Sequence, residues 1–303
     1  MLSENARVER MCENTWHYLD VLGNSNCRLC GGETALTFRK VLLQKHEVSF
    51  LKCQRCLSLQ TEAPYWLDEA YADDRPLSDC GMVARTIELC AKTDLILSIL
   101  RVGHDAVGVD IGGSLGLFSR MMRDRGYNFH RSDKYSRNFY VPFHDATENG
   151  IARASVVTSF EVMEHLSNPQ EELHSMFALS PDVVLATTMP YTDQASDWWY
   201  YAPDIGQHVF FYSPKALQAI AACYGMQLIS AAGIHLFFRE KPQTLSYDIQ
   251  DLHRLAGLLN NPQHLHIESM QLLLSRLSDP YQWASKDYAE ILGRMRTSAE
   301  CAA

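Results

Sequence analysis

The chain has no apolar run long enough to cross a bilayer. Its most continuous hydrophobic stretches, such as Leu95 to Leu100, fall far short of the ~20 residues a spanning helix needs. It also lacks a basic head followed by an apolar core, so no export signal is expected and a cytoplasmic location is. Positive charge is scarce: 27 Lys and Arg stand against 36 Asp and Glu, for a net charge of −9. That sign disfavours a nucleic-acid partner, although a local basic patch would escape a net count. No internal repeat or low-complexity run is present. What remains is an ordinary globular mixture, 47% hydrophobic and 21% charged over 303 residues. It has room for one domain of ordinary size and a small accessory unit. Met1 to Asn26 mixes charged residues with Val8, Met11, Trp16 and Leu19, and reads as a short amphipathic helix.

Nine cysteines are present, and four of them fall in two pairs, Cys27-Arg-Leu-Cys30-Gly-Gly and Cys53-Gln-Arg-Cys56. Each pair can fold into a tight knuckle that aims both sulfurs at one point, and the glycines after Cys30 permit the turn. Between the pairs, Ala35 to Arg39 and Val48 to Lys52 are strand-like, so a hairpin can bring the knuckles together. Four thiolates are the expected ligand set of a structural Zn²⁺. A redox CxxC is the alternative, but such a motif normally opens a helix, and glycines follow Cys30 here. Cys12, Cys80, Cys90, Cys223 and Cys301 have no such spacing and are expected to be ordinary thiols.

After a linker rich in aromatics (Tyr65, Trp66, Tyr71), Val83 to Leu100 shows helical spacing. Ala106 to Ile111 then reads as a strand ending beside Asp110, followed by Gly112-Gly113-Ser114-Leu115-Gly116 and a helix from Leu117 to Arg125. A strand, a glycine turn and a helix make the first half of a nucleotide-binding βαβ unit, which several cofactors use. Tyr127 to Ser132 is a second strand ending at Asp133, where a carboxylate can bind ribose hydroxyls. Asp145, after a short apolar segment, can reach an adenine amino group. Ser155 to Phe160 is a buried strand, followed by Glu161-Val-Met-Glu164-His165-Leu166. Surface charge is the competing account of Asp133 and Asp145; capping of a turn is the competing account of Glu161 and His165.

At these residues the chain resembles the class I S-adenosylmethionine (SAM)-dependent methyltransferases of the Methyltransf_23-like group. That group carries a DxGxGxG-type loop and a Glu-His dipeptide after its fourth strand. The resemblance spans about Asp105 to Glu240. It implies a Rossmann-like seven-stranded sheet in an α/β fold and SAM as cofactor. The implied cofactor contacts are Asp110, Gly112, Gly113, Gly116, Asp133, Asp145, Phe160 and Glu161. One departure is Ser114 at the central glycine of the loop; a small side chain there is expected to preserve binding. A scaffold without catalysis is the reading this substitution keeps open.

Val183 to Thr188 supplies a fifth strand, and Met226 to Ser230 with Ile234 to Phe238 a hairpin around Gly233. Between them, Gly206-Gln207-His208 leading into Phe211-Tyr212-Ser213 resembles the acceptor-side histidine motif of zinc-containing sugar C-methyltransferases and related glycan methyltransferases. Some of those carry a tyrosine three residues before the histidine, where this chain has Ile205. The resemblance implies a small-molecule, carbohydrate-type acceptor. His208 is the expected general base, with His165 as the second catalytic candidate. Trp198 and Trp199 offer flat faces suited to a sugar ring or to packing. The domains are expected at 1–78 (helix, zinc ribbon, linker), 79–242 (SAM-binding) and 243–303 (a helical tail that packs on the catalytic domain or makes a homodimer). An RNA or protein methyltransferase recruited through the ribbon is the alternative enzyme.

Overall fold

The computed structural model describes residues 26–72, 80–276 and 286–294. The helix expected over Met1 to Asn26 therefore lies, but for Asn26, outside the described residues. Thr34–Leu42 (β1) and His46–Cys53 (β2) form an antiparallel hairpin, turned by Leu43 and Gln44 at positive φ. Val48 and Phe50 alternate into the interior of β2, the period-two pattern of a half-buried strand. Leu59–Thr61 (β3) adds an antiparallel strand, and Leu67–Ala70 (α1) is a single turn. Met82–Ile99 (α2) is the helix expected from Val83 onward. There follow Val107–Ile111 (β4), Leu117–Asp124 (α3), Asn128–Ser132 (β5) and Val156–Phe160 (β6). Pro169–Ala178 (α4), Val183–Thr187 (β7), Phe210–Phe211 (β8) and Pro214–Cys223 (α5) come next. Ser213 caps α5 by accepting from the Ala216 amide at 3.0 Å, with Pro214 at the first helical position. The hairpin is Gln227–Ala231 (β9) and Ile234–Phe238 (β10), and the tail holds Ile249–Leu259 (α6), Pro262–Arg276 (α7) and a helix at 286–294.

The strands pair in two sheets. One has the order β1-β2-β3-β8; the other has six strands in the order β5-β4-β6-β7-β10-β9. The second is mixed: β4 is parallel to β5 and β6, while β9 and β10 are antiparallel. Six strands are found among the described residues where seven were expected. Beyond β5 the chain makes a single parallel bridge, Arg131 to Asp145, in place of a strand. Pro142 and the positive φ of Phe143 break any extended run there.

Contacts divide the chain into two compact units, each discontinuous in sequence and each taken here in its described part. One comprises Met1–Arg75, Phe160–Ala178 and Ala186–Arg239; the other comprises Pro76–Ser159, Leu179–Leu185 and Glu240–Ala303. In the first, Phe50, Trp66, Tyr200, Tyr201 and Phe211 share a buried aromatic core. In the second, α7 packs on α2, and Arg276 pairs with the buried Asp94 at 3.1 Å. Asp182 accepts from the amides of Gln243, Thr244 and Leu245, which fixes the start of the tail. Arg123, 2% exposed, bonds Asp287 of the last helix. The tail is thus held by charge-assisted hydrogen bonds rather than by apolar area alone. Cys223, expected as a thiol, is disulfide-bonded.

Candidate functional site

In the second unit the glycine loop runs from the end of β4 into α3. Asp110 lies on β4 opposite Arg131 and Thr158, and is 3% exposed. Its carboxylate accepts from Thr158 Oγ1 at 2.8 Å and Ser119 Oγ at 3.4 Å, while burial pushes its pKa up to about 7. A Cβ on Gly113 would stand 2.7 Å from Asp110 Oδ2 and 3.1 Å from Arg131 Cγ, so only glycine fits there. Gly112, Ser114 and Gly116 all take positive φ, at 69°, 45° and 88°. Serine at 45° carries the steric cost that glycine avoids, about 1–2 kcal/mol. Replacing it with Gly should therefore raise unfolding free energy by about 0.5–1 kcal/mol, the strain relieved less the entropy gained by the unfolded chain. Chemical denaturation measures this, and a loss of stability would mean that the Ser114 side chain is itself a needed contact.

Asp133, at the end of β5, organises the loop from the other side. Oδ2 accepts from the Ser114 amide at 2.9 Å, and Oδ1 from the amides of Tyr135 and Ser136 at 2.9 and 2.7 Å. Asp145 is more fully engaged than the sequence suggests. Its Oδ1 accepts from Arg131 Nη1 at 2.6 Å and its Oδ2 from Asn138 Nδ2 at 3.0 Å. Arg131, buried at 3% exposure, also donates to the Ser114 carbonyl at 2.5 Å and to the Ser136 carbonyl. This arginine ties the glycine loop, the Asp133 turn and Asp145 together. Nothing local in sequence marks it, because it sits inside a β-strand, where a basic residue looks like an exposed one.

In the first unit, Phe160 ends β6 and Glu161 follows at φ 53°, its amide donating to Thr187 Oγ1 at 2.8 Å. A non-glycine residue in the left-handed region is held there by its surroundings. Glu164 and His165 lie on a 3₁₀ turn just beyond, and His208 lies on the segment leading into β8. The two imidazoles meet edge to face with centroids 4.8 Å apart. His208 Nδ1 donates to the Tyr200 carbonyl at 2.6 Å, which leaves Nε2 as the nitrogen with the lone pair. Burial lowers the pKa of His208 and keeps the ring neutral. His165 Nδ1 is 3.0 Å from the Tyr71 hydroxyl; partial burial and the neighbouring His208 hold its pKa well below the usual imidazole range.

Glu164 is fully buried, and neither carboxylate oxygen has a hydrogen bond of normal geometry. Burial first, then the nearby Glu161 carboxylate, push its pKa up to about 8, against the Tyr200 and Thr188 hydroxyls, which favour ionisation. Glu164 and Tyr71 were missed as members of this cluster. The Glu-His dipeptide was a signal for the first; nothing local in sequence marks the second. The two tryptophans separate: Trp198 packs on the aromatic core, while Trp199 is 71% exposed.

The four cysteines also lie in the first unit. Cys27, Cys30, Cys53 and Cys56 are all buried, and their sulfurs lie within 4.8 Å of one another. Cys27 Sγ is 3.7 Å from Cys56 Sγ, and Cys30 Sγ is 3.5 Å from Cys53 Sγ. The Arg55 and Cys56 amides point at Cys53 Sγ, at 3.3 and 3.4 Å, as they would toward a thiolate. A Cβ on Gly32 would meet Arg55 Cβ at 2.8 Å and Cys53 Sγ at 3.1 Å, so glycine lets the knuckles close. This donor set is compatible with a tetrahedral zinc ion. The ribbon is not an isolated appendage. β3 pairs with β8, Arg28 Nη2 donates to the Val209 carbonyl at 2.6 Å, and Trp66 Nε1 to the Gly206 carbonyl at 2.7 Å. The residues on either side of His208 are thus held by the cysteine-bearing sheet.

Among the described residues no helix is long and apolar enough to cross a membrane. Residues 84–231 match the Methyltransf_23 family, described as a methyltransferase domain. No curated protein matches the chain. Among solved structures, the chain is similar to CalO1, a methyltransferase in calicheamicin biosynthesis. The two are 14% identical, with a TM-score of 0.34 over 50% of this chain and 54% of that one. It is also similar to the 1,6-didemethyltoxoflavin-N1-methyltransferase of Burkholderia thailandensis, at 13% identity and a TM-score of 0.40 over 63% of this chain and 92% of that one. The magnesium protoporphyrin IX methyltransferase of Synechocystis PCC 6803 aligns at 15% identity and a TM-score of 0.36, over 57% of this chain and 92% of that one. The chain thus spans about half the length of the first of these structures. Over residues 84–231 the chain thus resembles a methyltransferase domain.

Proposed function

We propose that the chain transfers a methyl group from SAM to a small-molecule acceptor of sugar or glycan type, with His208 as general base and a structural zinc at its four cysteines. The observation that carries the cofactor reading is the loop itself. A backbone free of side chains at Gly113 and pinned to Asp133 through the Ser114 amide is the cradle a nucleoside-bearing ligand needs. Asp110, Gly112, Gly113 and Gly116 shape it, Asp133 reaches the ribose hydroxyls, and Asp145 faces the adenine. Phe160 ends β6 and Glu161 follows it, where the family places further cofactor contacts. The sulfonium supplies an activated methyl group, so the chain need only align the acceptor and remove its proton. His208 has its Nδ1 anchored and its Nε2 lone pair available, and His165 orients it edge to face. The exposed face of Trp199 suits a sugar ring.

Calorimetry with SAM and S-adenosylhomocysteine tests the cofactor half. Wild-type chain should bind both, and Asp133→Ala should weaken binding about tenfold to a hundredfold by removing a charge-assisted hydrogen bond. Asp133→Asn, which keeps an acceptor for the loop amides, should fall between the two. A wild-type chain that binds neither ligand would be a scaffold.

A further inference from the structure

We propose that Glu164, His165 and His208 form a binding site for a divalent transition-metal cation, separate from the four-cysteine centre. One ligand atom from each of the three lies within 4.8 Å of the other two. The remaining valences of the rings are already arranged for coordination. His208 Nδ1 is occupied by the Tyr200 carbonyl and His165 Nδ1 by the Tyr71 hydroxyl, so both rings retain Nε2. A ring whose second nitrogen is anchored to an oxygen is the usual way a protein orients a metal-binding imidazole.

Glu164 is the independent observation. Both of its carboxylate oxygens are buried with no hydrogen bond of normal geometry, only the Tyr200 and Thr188 hydroxyls acting on them, and Oε1 lies 4.0 Å from His165 Nε2. Among the described residues no lysine or arginine makes an ion pair with it. A buried carboxylate left in that state is costly, and a cation between it and two imidazoles is the partner its surroundings lack. The other histidine–carboxylate grouping, His144, Asp287 and Glu290, differs on this point, because Arg120 and Arg123 already neutralise Asp287.

Two imidazoles and one carboxylate suit zinc, cobalt, nickel or iron(II) rather than magnesium or calcium. Three protein ligands leave coordination positions open to water or to an acceptor oxygen. A cation and a proton compete for the same Nε2 lone pair of His208, so an occupied site silences the base. That consequence rests on the base reading above; binding of the cation does not.

The test is titration of the full-length chain, with the metal of its cysteine site retained, with cobalt(II) chloride. Calorimetry should show one equivalent bound. The visible spectrum should gain ligand-field bands without the thiolate-to-cobalt charge transfer that exchange at the cysteines would bring. His165→Ala and Glu164→Gln should each weaken cobalt binding about tenfold or more, and His174→Ala, an exposed histidine on α4, should not. Absence of cobalt binding, binding that survives both substitutions, or a spectrum showing thiolate ligation alone would each overturn the site. Turnover of the His208 variant described below, not cobalt binding, decides the base, so the two readings fail separately.

Discussion

His208→Asn should lower methyl transfer by about 10²–10⁴-fold while leaving SAM affinity almost unchanged, because a general base acts on the acceptor's proton and not on the cofactor. Release of S-adenosylhomocysteine across a panel of sugar acceptors reads the rate, and calorimetry reads the affinity. The wild-type pH profile carries a second signature. Burial lowers the His208 pKa from its ordinary value of 6.5, so the ring stays neutral, and competent as a base, to lower pH than a free imidazole. The acid limb of kcat/KM should therefore fall below that value, and the asparagine variant should lose the limb. His165→Asn should act differently. Its ring touches His208 and lies on the short turn that follows the strained Glu161, so it should shift KM and cofactor binding along with rate. Full turnover in His208→Asn would move the base elsewhere, or show that the acceptor is nucleophilic without one.

The parts of this reading legible in the sequence were those written locally. The βαβ start is a contiguous pattern, Val107–Ile111, a glycine turn and Leu117–Asp124, so period and turn chemistry were enough to find it. The cysteine pairs carry their own spacing. The missing parts depend on distant contacts. Arg131 reads as a surface residue of a strand, yet it is buried because two carbonyls and Asp145 are brought to it by a turn and a bridge. The expected seventh strand is reduced to one bridging residue, since a proline and a left-handed phenylalanine interrupt it. Tyr71 meets His165 across 94 residues of sequence, and no local period encodes such a meeting. The expected ribbon domain, ending at 78, likewise gives no hint that β3 would take β8 as its neighbour, with Gln60 beside Phe210 and Leu59 beside Phe211.

That pairing gives the cysteines an influence beyond their own knuckles. Cys53→Ser should abolish tight zinc binding at the cysteines, lowering the zinc found by metal analysis by one ion per chain. Structural zinc sites contribute on the order of 10 kcal/mol to the folding of small domains, and three ligands cannot close the shell. The loss should spread along identifiable bonds. Cys56 carries the carbonyl that accepts from Ser213 Oγ at 2.5 Å, and Ser58 Oγ accepts from the Ser213 amide at 3.1 Å. Arg28, between the first two cysteines, holds the Val209 carbonyl next to His208. Loosening the knuckles frees all three contacts, and with them the segment that presents His208 Nε2. Turnover should fall at least tenfold and the first unfolding transition should move to lower temperature. SAM binding, which the proposed function assigns to the Asp110–Gly116 loop and Asp133, should change far less. Cys80→Ser, at an exposed thiol, is the control and should leave metal content, stability and rate unchanged. A Cys53→Ser chain that keeps its rate would mean that β8 holds its place without the ribbon; one that keeps its metal would remove Cys53 from the ligand set.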